Sequence, residues 1–334
     1  MRNLVLSLLI ICTATAGAAF EIEAHARFGA QGARELRVIS TADIEYFEPF
    51  VEGFLSDNPE VAIDYTVASS SELMRALYDE GEAFDLALSS AMDLQTKLAN
   101  DGLAQRHRSA ATQALPDWAV WNDMLFAFTQ EPATIAVSKA GFEGLPVPRS
   151  RQEMITLLRQ HPERFRGRVG TYNIEASGTG YLFATQDTRA SDTFWRLTEV
   201  MGGLGARLYC CTSEMIAALT SGELLIAYNV LGSYAVNHED RDAYEIILPE
   251  DFVTVMMRTG MIPHNAPSPD LAALLMDHLL ADAHQNSLTR SGLDLNAHKT
   301  SLHRIRIGPG LLVFLDQLKK TAFLTEWRNA ILQE

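Results

Sequence analysis

Short apolar runs alternate along the chain with longer amphipathic stretches. Predicted buried strands cover ELRVIS, VAIDYTVA and FDLALS, and predicted helices follow them over YFEPFVEGFLSDNP, ELMRALYDE and AMDLQTKLAND. Hydroxyl residues stand between each strand and its helix. Ser69 and Glu72 have the spacing of a capping box, and Ser90 and Asp93 have a weaker form of it. Strand–helix units in succession predict a parallel α/β sheet.

The second half of the chain repeats this order after WAVWNDMLFAFTQEPATIAVS, which predicts long strands connecting two bodies. The second body is predicted to contain the helix SRQEMITLLRQHPERF, the strands GRVGTYNI and RLYC, the helix EMIAALTS and the strand ELLIAYNV. A connecting strand over DFVTVMMRTGMIPHNAPSP and helices over PDLAALLMDHLLADAHQNSL and PGLLVFLDQLKKTAFLTEWRNAIL follow, and residues 19–35 are expected to be an extended lead-in. A chain of 334 residues with this pattern suits two lobes better than one core.

Hydroxyl side chains follow the predicted strands of the first body. Loops at the carboxyl ends of parallel strands lie on one edge of a sheet, where small ligands bind. The candidate ligand residues of this body are therefore Ser40, Thr41, Ser69, Ser70, Ser89 and Ser90. Several of them are expected to cap helices as well, because one hydroxyl can cap a helix and contact a ligand.

The stretch IEASGTGYLFATQD places two hydroxyls and two glycines directly before a predicted helix. The free amides of a helix start carry partial positive charge, so Ser177, Gly178, Thr179 and Gly180 are candidates for a backbone cradle around an anion. The alternative is a turn with a helix cap. The position after a strand, matching the first body, favours ligand binding. Further candidates, expected at the hinge side, are Tyr228, Asn229, Ser233 and Tyr234.

Charge limits the partners that the chain can have. A formal net charge of −15 would repel nucleic acid and anionic membranes, so neither is expected to bind. The same charge would not attract an anionic ligand from a distance. An anion site is therefore expected to use backbone amides and hydroxyls at short range.

Two adjacent cysteines, Cys210 and Cys211, follow the N-terminal segment that contains Cys12. Neighbouring cysteines rarely bond to each other, so both are expected to be buried small apolar residues. A disulfide between them or a redox role is the alternative.

Sequence signatures of catalysis are missing. The chain has no G-x-S-x-G, no H-E-x-x-H and no phosphate-binding lysine loop. We therefore expect a protein that is not an enzyme, with no catalytic residues, no metal ligands and no cofactor. A secreted enzyme is the alternative from another class.

The order of elements resembles that of the periplasmic solute-binding proteins of ATP-driven importers, in the branch with iron(III)- and phosphosugar-binding members. The similarity rests on LRVISTADIEYFEPFVEGF, YTVASSSELMRALYDEG, FDLALSSAMDLQTKLANDGL, ALTSGELLIAYNVLGSYA and PSPDLAALLMDHLLAD. It implies an α/β fold of type II with two lobes, each a mixed sheet flanked by helices, and a ligand cleft between them. We expect residues 36–132 and 259–334 in lobe 1 and residues 133–258 in lobe 2.

The resemblance implies a monomer that captures a small organic anion, a phosphorylated compound or a carboxylate, for an inner-membrane ABC permease. A sensor of the same solute for a membrane histidine kinase is the alternative. Ferric iron is a further alternative, but iron-binding relatives have two adjacent tyrosines where Tyr228 and Tyr234 are separated here. Phenolate pairs suit ferric iron because both partners are hard.

The N-terminus predicts export to the periplasm. A basic residue, Arg2, precedes an apolar run and the small residues Ala16, Gly17 and Ala18, which is the pattern of a cleavable signal peptide over residues 1–18. Mass spectrometry of the protein from its host is expected to find a chain that begins near Ala19. A membrane-bound protein that retains Met1 would contradict this prediction and would indicate an uncleaved anchor.

Overall fold

The computed structural model describes residues 19–285, 293 and 301–333. The strands are β1 Ala24–Gly29, β2 Arg34–Ser40, β3 Val61–Val67, β4 Leu86–Ser89, β5 Val120–Trp121, β6 Leu125–Ala127, β7 Glu131–Ser138, β8 Val169–Tyr172, β9 Arg207–Tyr209, β10 Ile226–Leu231, β11 Tyr244–Ile247, β12 Val253–Met256, β13 Thr259–Met261 and β14 Leu302–Arg304. The helices are α1 Ile44–Asp57, α2 Ser70–Tyr78, α3 Met92–Asn100, α4 Ala110–Gln113, α5 Arg151–Gln160, α6 Pro162–Phe165, α7 Gly178–Ala190, α8 Thr193–Gly203, α9 Thr212–Thr220, α10 Gly232–Asn237, α11 Pro269–Gln285 and α12 Gln317–Leu332. In these parts of the chain, no helix has the length and apolar character needed to span a bilayer.

The first sheet has the strand order β1-β3-β2-β4-β13-β6-β5 within the described residues. Strands β3, β2 and β4 are parallel neighbours, as the sequence predicted. Strand β1 lies in the expected lead-in, which is therefore not merely extended: it pairs antiparallel with β3 along its whole length. Its exposed and half-buried residues alternate, so β1 covers one edge of the sheet.

The second sheet has the order β14-β12-β7-β10-β8-β9, with β11 also paired to β7. Strand β14 pairs parallel with β12, and α12 packs on α8, where the rings of Trp195 and Phe323 lie 5.5 Å apart. The predicted boundaries instead placed all of residues 259–334 in lobe 1. We propose that lobe 1 comprises residues 24–127 and 259–285 and that lobe 2 comprises residues 131–256 and 302–332, because sheet pairing and packing divide them there.

Within residues 19–285, two segments run side by side from one sheet to the other. One joins β6 to β7 and the other joins β12 to β13. The amide of Phe128 donates to the carbonyl of Arg258 (3.0 Å), and the amide of Arg258 donates to the hydroxyl of Thr129 (3.0 Å). These bonds make the two crossings one paired connection between the lobes.

Some helix boundaries differ from the prediction. The helix predicted over residues 150–165 is split into α5 and α6 at Pro162, whose missing N–H cannot continue the first helix. The predicted terminal helix begins only at Gln317, where the carboxylate of Asp316 accepts from the amide of Lys319, and a 3₁₀ segment precedes it. Ser90 does not cap α3, because the N-cap position is Ala91.

A buried carboxylate holds lobe 2 together. Asp187, in α7, is fully buried and accepts hydrogen bonds from Tyr228 (2.9 Å), Asn229 (2.8 Å) and Thr254 (2.8 Å). The fully buried guanidinium of Arg151 lies 3.8 Å from the same carboxylate. This network joins helices α5 and α7 to strands β10 and β12.

Substituting Asp187→Ala is expected to lower the free energy of unfolding by about 3–5 kcal/mol. It removes one of the two carboxylates that lie near the buried guanidinium of Arg151, whose other partner is Asp251 (3.2 Å). It also removes the acceptor of three buried hydrogen bonds. Urea unfolding followed by circular dichroism measures the change. The control is Glu163→Ala, whose side chain is 88% exposed, and this substitution should change stability by less than about 0.5 kcal/mol. Equal stability of the Asp187→Ala variant and the wild type would contradict the structural role of the network.

Candidate functional site

A cleft of about 70 Å³ lies between the two sheets. It is lined by Glu23, Thr41, Asp43, Ala68, Ser69, Ser70, Ser90, Tyr172, Ala176, Ser177, Thr179, Cys210, Cys211, Thr212, Ser213, Leu231, Tyr234 and Arg258. The predicted candidates Thr41, Ser69, Ser70, Ser90, Ser177, Thr179 and Tyr234 are among these residues. The volume is below the ~300 Å³ of ordinary ligand pockets, so a larger solute needs the lobes to separate.

Helices from both lobes begin at the cleft. Their N-cap residues, Asp43 of α1, Ser69 of α2, Ser177 of α7 and Cys211 of α9, are all part of the lining. The N-terminus of a helix carries roughly half a positive charge, which favours anions nearby. Convergence of these helix ends makes the local field more positive than the overall charge of the chain implies.

The predicted amide cradle at α7 is partly occupied by the protein itself. The amide of Gly178 donates to the hydroxyl of Ser70 (3.0 Å), and the amide of Gly180 donates to that of Ser177 (3.1 Å). A Cβ atom on Gly178 would lie 2.5 Å from Ser70 Oγ, and one on Gly180 would lie 2.4 Å from the Cβ of Tyr172. These close contacts within the protein explain why glycine occupies both positions, and no ligand contact is needed to explain it.

A chain of hydroxyls crosses the cleft. The hydroxyls of Thr41 and Ser90, both in lobe 1, lie 3.2 Å apart, and that of Ser90 lies 2.6 Å from the hydroxyl of Thr179 in lobe 2. The amide of Asp43 donates to Tyr234 Oη (3.3 Å) as a further contact between the lobes. The lobes are therefore in direct hydrogen-bonded contact in this structure.

The start of α9 differs from that of α7. Its N-cap, Cys211, makes no side-chain cap, and within the described residues the amides of Thr212 and Ser213 have no hydrogen-bond acceptor. These amides are free for a ligand, although the sequence analysis did not single out this helix.

The expectation for the cysteines was wrong: Cys210 and Cys211 form a disulfide and are half-buried.

Other predicted site residues lie outside the lining. Ser40 and Ser89 are buried, and their hydroxyls accept from the amides of Ala42 (3.0 Å) and Ala91 (3.1 Å). Ser233 is fully buried.

Tyr228 and Asn229 are also outside the lining, because they hydrogen bond to Asp187 in lobe 2. A β-bulge after Tyr228 puts Asn229 at φ 64°, a left-handed conformation that Asn tolerates. Because of the bulge, the neighbouring side chains of Tyr228 and Asn229 both reach the carboxylate of Asp187.

Arg258 is a cleft residue that the sequence analysis missed. Its side chain is 2% exposed, and its Nε lies 3.5 Å from a carboxylate oxygen of Glu131, which is itself buried. Its Nε and Nη2 make no hydrogen bond in the described part of the structure. The guanidinium carbon lies 4.7 Å from the ring centroid of Tyr46 and 5.6 Å from that of Tyr234. A lone arginine in the apolar run VTVMMRTGM was the available signal, since arginine is rarely buried unless paired.

Carboxylates lie at the mouth of the cleft. Glu23 is exposed there, and burial of part of its surface, followed by the charges of Asp43, Glu21 and Glu214, raises its pKa above the usual value. The potential at the mouth is therefore negative. The buried guanidinium of Arg258 provides positive charge deeper in the cleft.

Comparisons with known proteins agree with this architecture. The family model for bacterial extracellular solute-binding proteins matches residues 36–294. A search of curated protein sequences finds no significant match. The chain is similar to the solved substrate-binding protein of an ABC transporter from Agrobacterium tumefaciens, with 32% identity, a TM-score of 0.85, and coverage of 92% of this chain and 98% of that one.

More distant structures share the fold alone. The periplasmic binding protein AfuA from Actinobacillus pleuropneumoniae, solved with fructose 6-phosphate, has 15% identity and a TM-score of 0.73 over 90% of this chain and 99% of that one. Iron-bound HitA from Pseudomonas aeruginosa has 12% identity and a TM-score of 0.64 over 89% of this chain and 99% of that one. These two structures contain different ligands, fructose 6-phosphate and iron, so the shared fold does not select a ligand.

A buried carboxylate lies in the first turn of α3, the helix that follows the cleft residue Ser90. Asp93 is 2% exposed, and burial raises its pKa to about 7. Between its ordinary value of 3.8 and 7, the folded state holds a proton that the unfolded state releases. Asp93 therefore makes the protein less stable as the pH rises through this window.

Substituting Asp93→Asn should raise the free energy of unfolding by about 2–4 kcal/mol at pH 8, because the variant has no buried carboxyl to ionise. The gain should be smaller at pH 5, where the folded wild type is protonated. Urea unfolding of both proteins at the two pH values measures it, with the exposed residue Asp117 replaced by Asn as a control. An equal gain at both pH values would contradict the titration of Asp93.

Proposed function

The chain belongs to the family of bacterial extracellular solute-binding proteins, and we propose that its cleft captures a small organic anion, a phosphorylated compound or a carboxylate, for an ATP-driven importer. The solute would bind between the lobes, and an inner-membrane ABC permease would receive it. The sensing of the same solute for a membrane kinase would use the same cleft. The similarity to a transporter's substrate-binding protein favours import.

Arg258 is the observation that carries this proposal. A guanidinium offers a fork of donors that fits carboxylate and phosphate oxygens. Its Nε and Nη2 are buried and without hydrogen bonds in the described residues, which is costly unless a partner is supplied. Glu131, at 3.5 Å, offsets the charge but accepts no hydrogen bond from it. An acidic group of a solute would supply the missing acceptors.

The charge distribution orients the solute. Glu23 and its acidic neighbours make the mouth negative, so the acidic group of the solute would bind deeper, near Arg258. The free amides of Thr212 and Ser213 at the start of α9 offer further donors. The hydroxyls of Ser70 and Thr179, now bonded across the cleft, would be released to the solute when the lobes separate.

The tyrosine geometry favours an organic anion over ferric iron. Tyr228 donates to Asp187 and receives a hydrogen bond from Arg151, so it is directed into lobe 2 and away from the cleft. Burial raises the pKa of Tyr234 to about 12, so forming its phenolate costs more free energy than it does for a tyrosine in water. Ferric iron is bound by phenolates, and these two side chains do not form a pair that could supply them.

Removing the charge of Arg258 tests the proposal. A solute at 100 times its Kd should stabilise the wild type by about 2.7 kcal/mol, and thermal unfolding identifies binders in a panel of inorganic phosphate, fructose 6-phosphate, acetate and citrate. The variant with Arg258→Met and Glu131→Gln removes both buried charges together, so neither is left unpaired. Its affinity for the panel members that bind should fall about 10- to 100-fold in calorimetry, because a charge-assisted hydrogen bond is lost.

The control is Arg149→Met, whose side chain is 73% exposed and lies outside the cleft. It should bind as the wild type does. Binding that is unchanged in the double variant, or a panel without a binder, would overturn the organic-anion proposal.

A further inference from the structure

The disulfide between Cys210 and Cys211 is held in a fixed place on the cleft wall. It lies between the end of β9 and the start of α9. The next residue, Thr212, hydrogen bonds through its hydroxyl to Tyr172 and accepts from the amide of Leu231 (3.3 Å). Strand β9 in turn pairs with β8. Sheet pairing and side-chain bonds therefore set the position of both sulfurs relative to the cleft.

Global stability does not account for this disulfide. In the chain-entropy account, a disulfide stabilises a fold by restricting the unfolded chain, and the effect grows with the length of the closed loop. The two cysteines are adjacent, with a sequence separation of 1, so they close the shortest loop possible. The role of the bond must therefore be sought in its surroundings, which are the cleft.

The disulfide presents a different surface from the rest of the lining. It has no N–H or O–H group, and its sulfurs are polarizable and weak hydrogen-bond acceptors. The lining around it is rich in hydroxyls, such as those of Ser69, Ser177 and Ser213. Because the ring that joins the two side chains has few free torsions, an apolar contact with it costs little conformational entropy.

We propose that the Cys210–Cys211 disulfide is a ligand contact that packs against the carbon skeleton of the solute and favours anions with a larger carbon skeleton over small anions such as inorganic phosphate and acetate. The inference rests on the proposed function, since it assigns the acidic group of the solute to Arg258 and the apolar part to the disulfide. An inorganic anion can use the guanidinium and the amides but has nothing to place on the sulfurs.

The test compares two probes of each acid class: fructose 6-phosphate with inorganic phosphate, and citrate with acetate. Calorimetry measures their affinities for the oxidised wild type, for Cys210→Ser/Cys211→Ser and for Cys210→Ala/Cys211→Ala. The serine variant should lose about tenfold in affinity for the larger organic probe that binds, because roughly 50 Å² of apolar contact is replaced by hydroxyls. Its affinity for the small probe of the same class should stay within about twofold. The alanine variant should lose less than the serine variant.

The control for a general disturbance of α9 is Thr220→Ala at the other end of the helix, which should leave all affinities unchanged. Equal losses for the larger and the small probe would show that the disulfide only positions α9, and unchanged affinities would show that it touches no solute. Either result overturns the inference while the Arg258 dependence still supports the proposed function. If neither acid class binds the wild type, the proposed function fails and the inference fails with it.

Discussion

The buried pair of Arg258 and Glu131 is the interaction on which the arrangement of the two lobes depends. Glu131 is the first residue of β7, and Arg258 lies between β12 and β13, so the pair joins two of the segments that connect the sheets. Tyr46, in lobe 1, donates to the same carboxylate (2.8 Å). Two buried charges are costly to desolvate, and leaving either one alone would cost several kcal/mol. The two paired segments therefore keep a defined geometry. The guanidinium of Arg258, which a solute would contact, is part of this connection between the lobes.

The topology of the two sheets explains why the N-termini of several helices meet at the cleft. Strands β2 and β3 run parallel in lobe 1, and β8 and β9 run parallel in lobe 2, so their carboxyl ends lie at one edge of each sheet. The helices that follow must begin at those edges. The crossing segments turn the two edges toward each other. As a result, the positive ends of helices from both lobes surround one cleft in a strongly acidic chain.

Local signals in the sequence predicted the parallel strands β2, β3 and β4 and the start of α2. Ser69 caps its helix as expected, and Ser177 also caps its helix, which was the alternative to ligand binding at that position. Capping depends on residues only three apart, so the sequence can indicate it. The sequence could not show which way Tyr228 and Asn229 face, because a bulge in β10 depends on distant pairing with β7. The pairing of β14 with β12 is equally non-local. Arg258 was missed for the same reason, because its role depends on its pairing with Glu131, which is distant in the sequence.

The polar groups of the cleft differ in how much free energy a hydrogen bond to a solute would contribute. Ser70, Ser90 and Thr179 already bond across the cleft, so a solute that replaces these contacts exchanges one hydrogen bond for another. Such an exchange contributes little net free energy. The Nε and Nη2 atoms of Arg258 have no hydrogen-bond partner in the described residues, so an acceptor supplied by a solute would offset the desolvation cost of these buried donors. The hydroxyls can therefore hold the cleft closed without a solute. Under the proposed function, the preference for the occupied state would come from donors that lack an acceptor within the described part of the chain, which are the guanidinium of Arg258 and the first amides of α9.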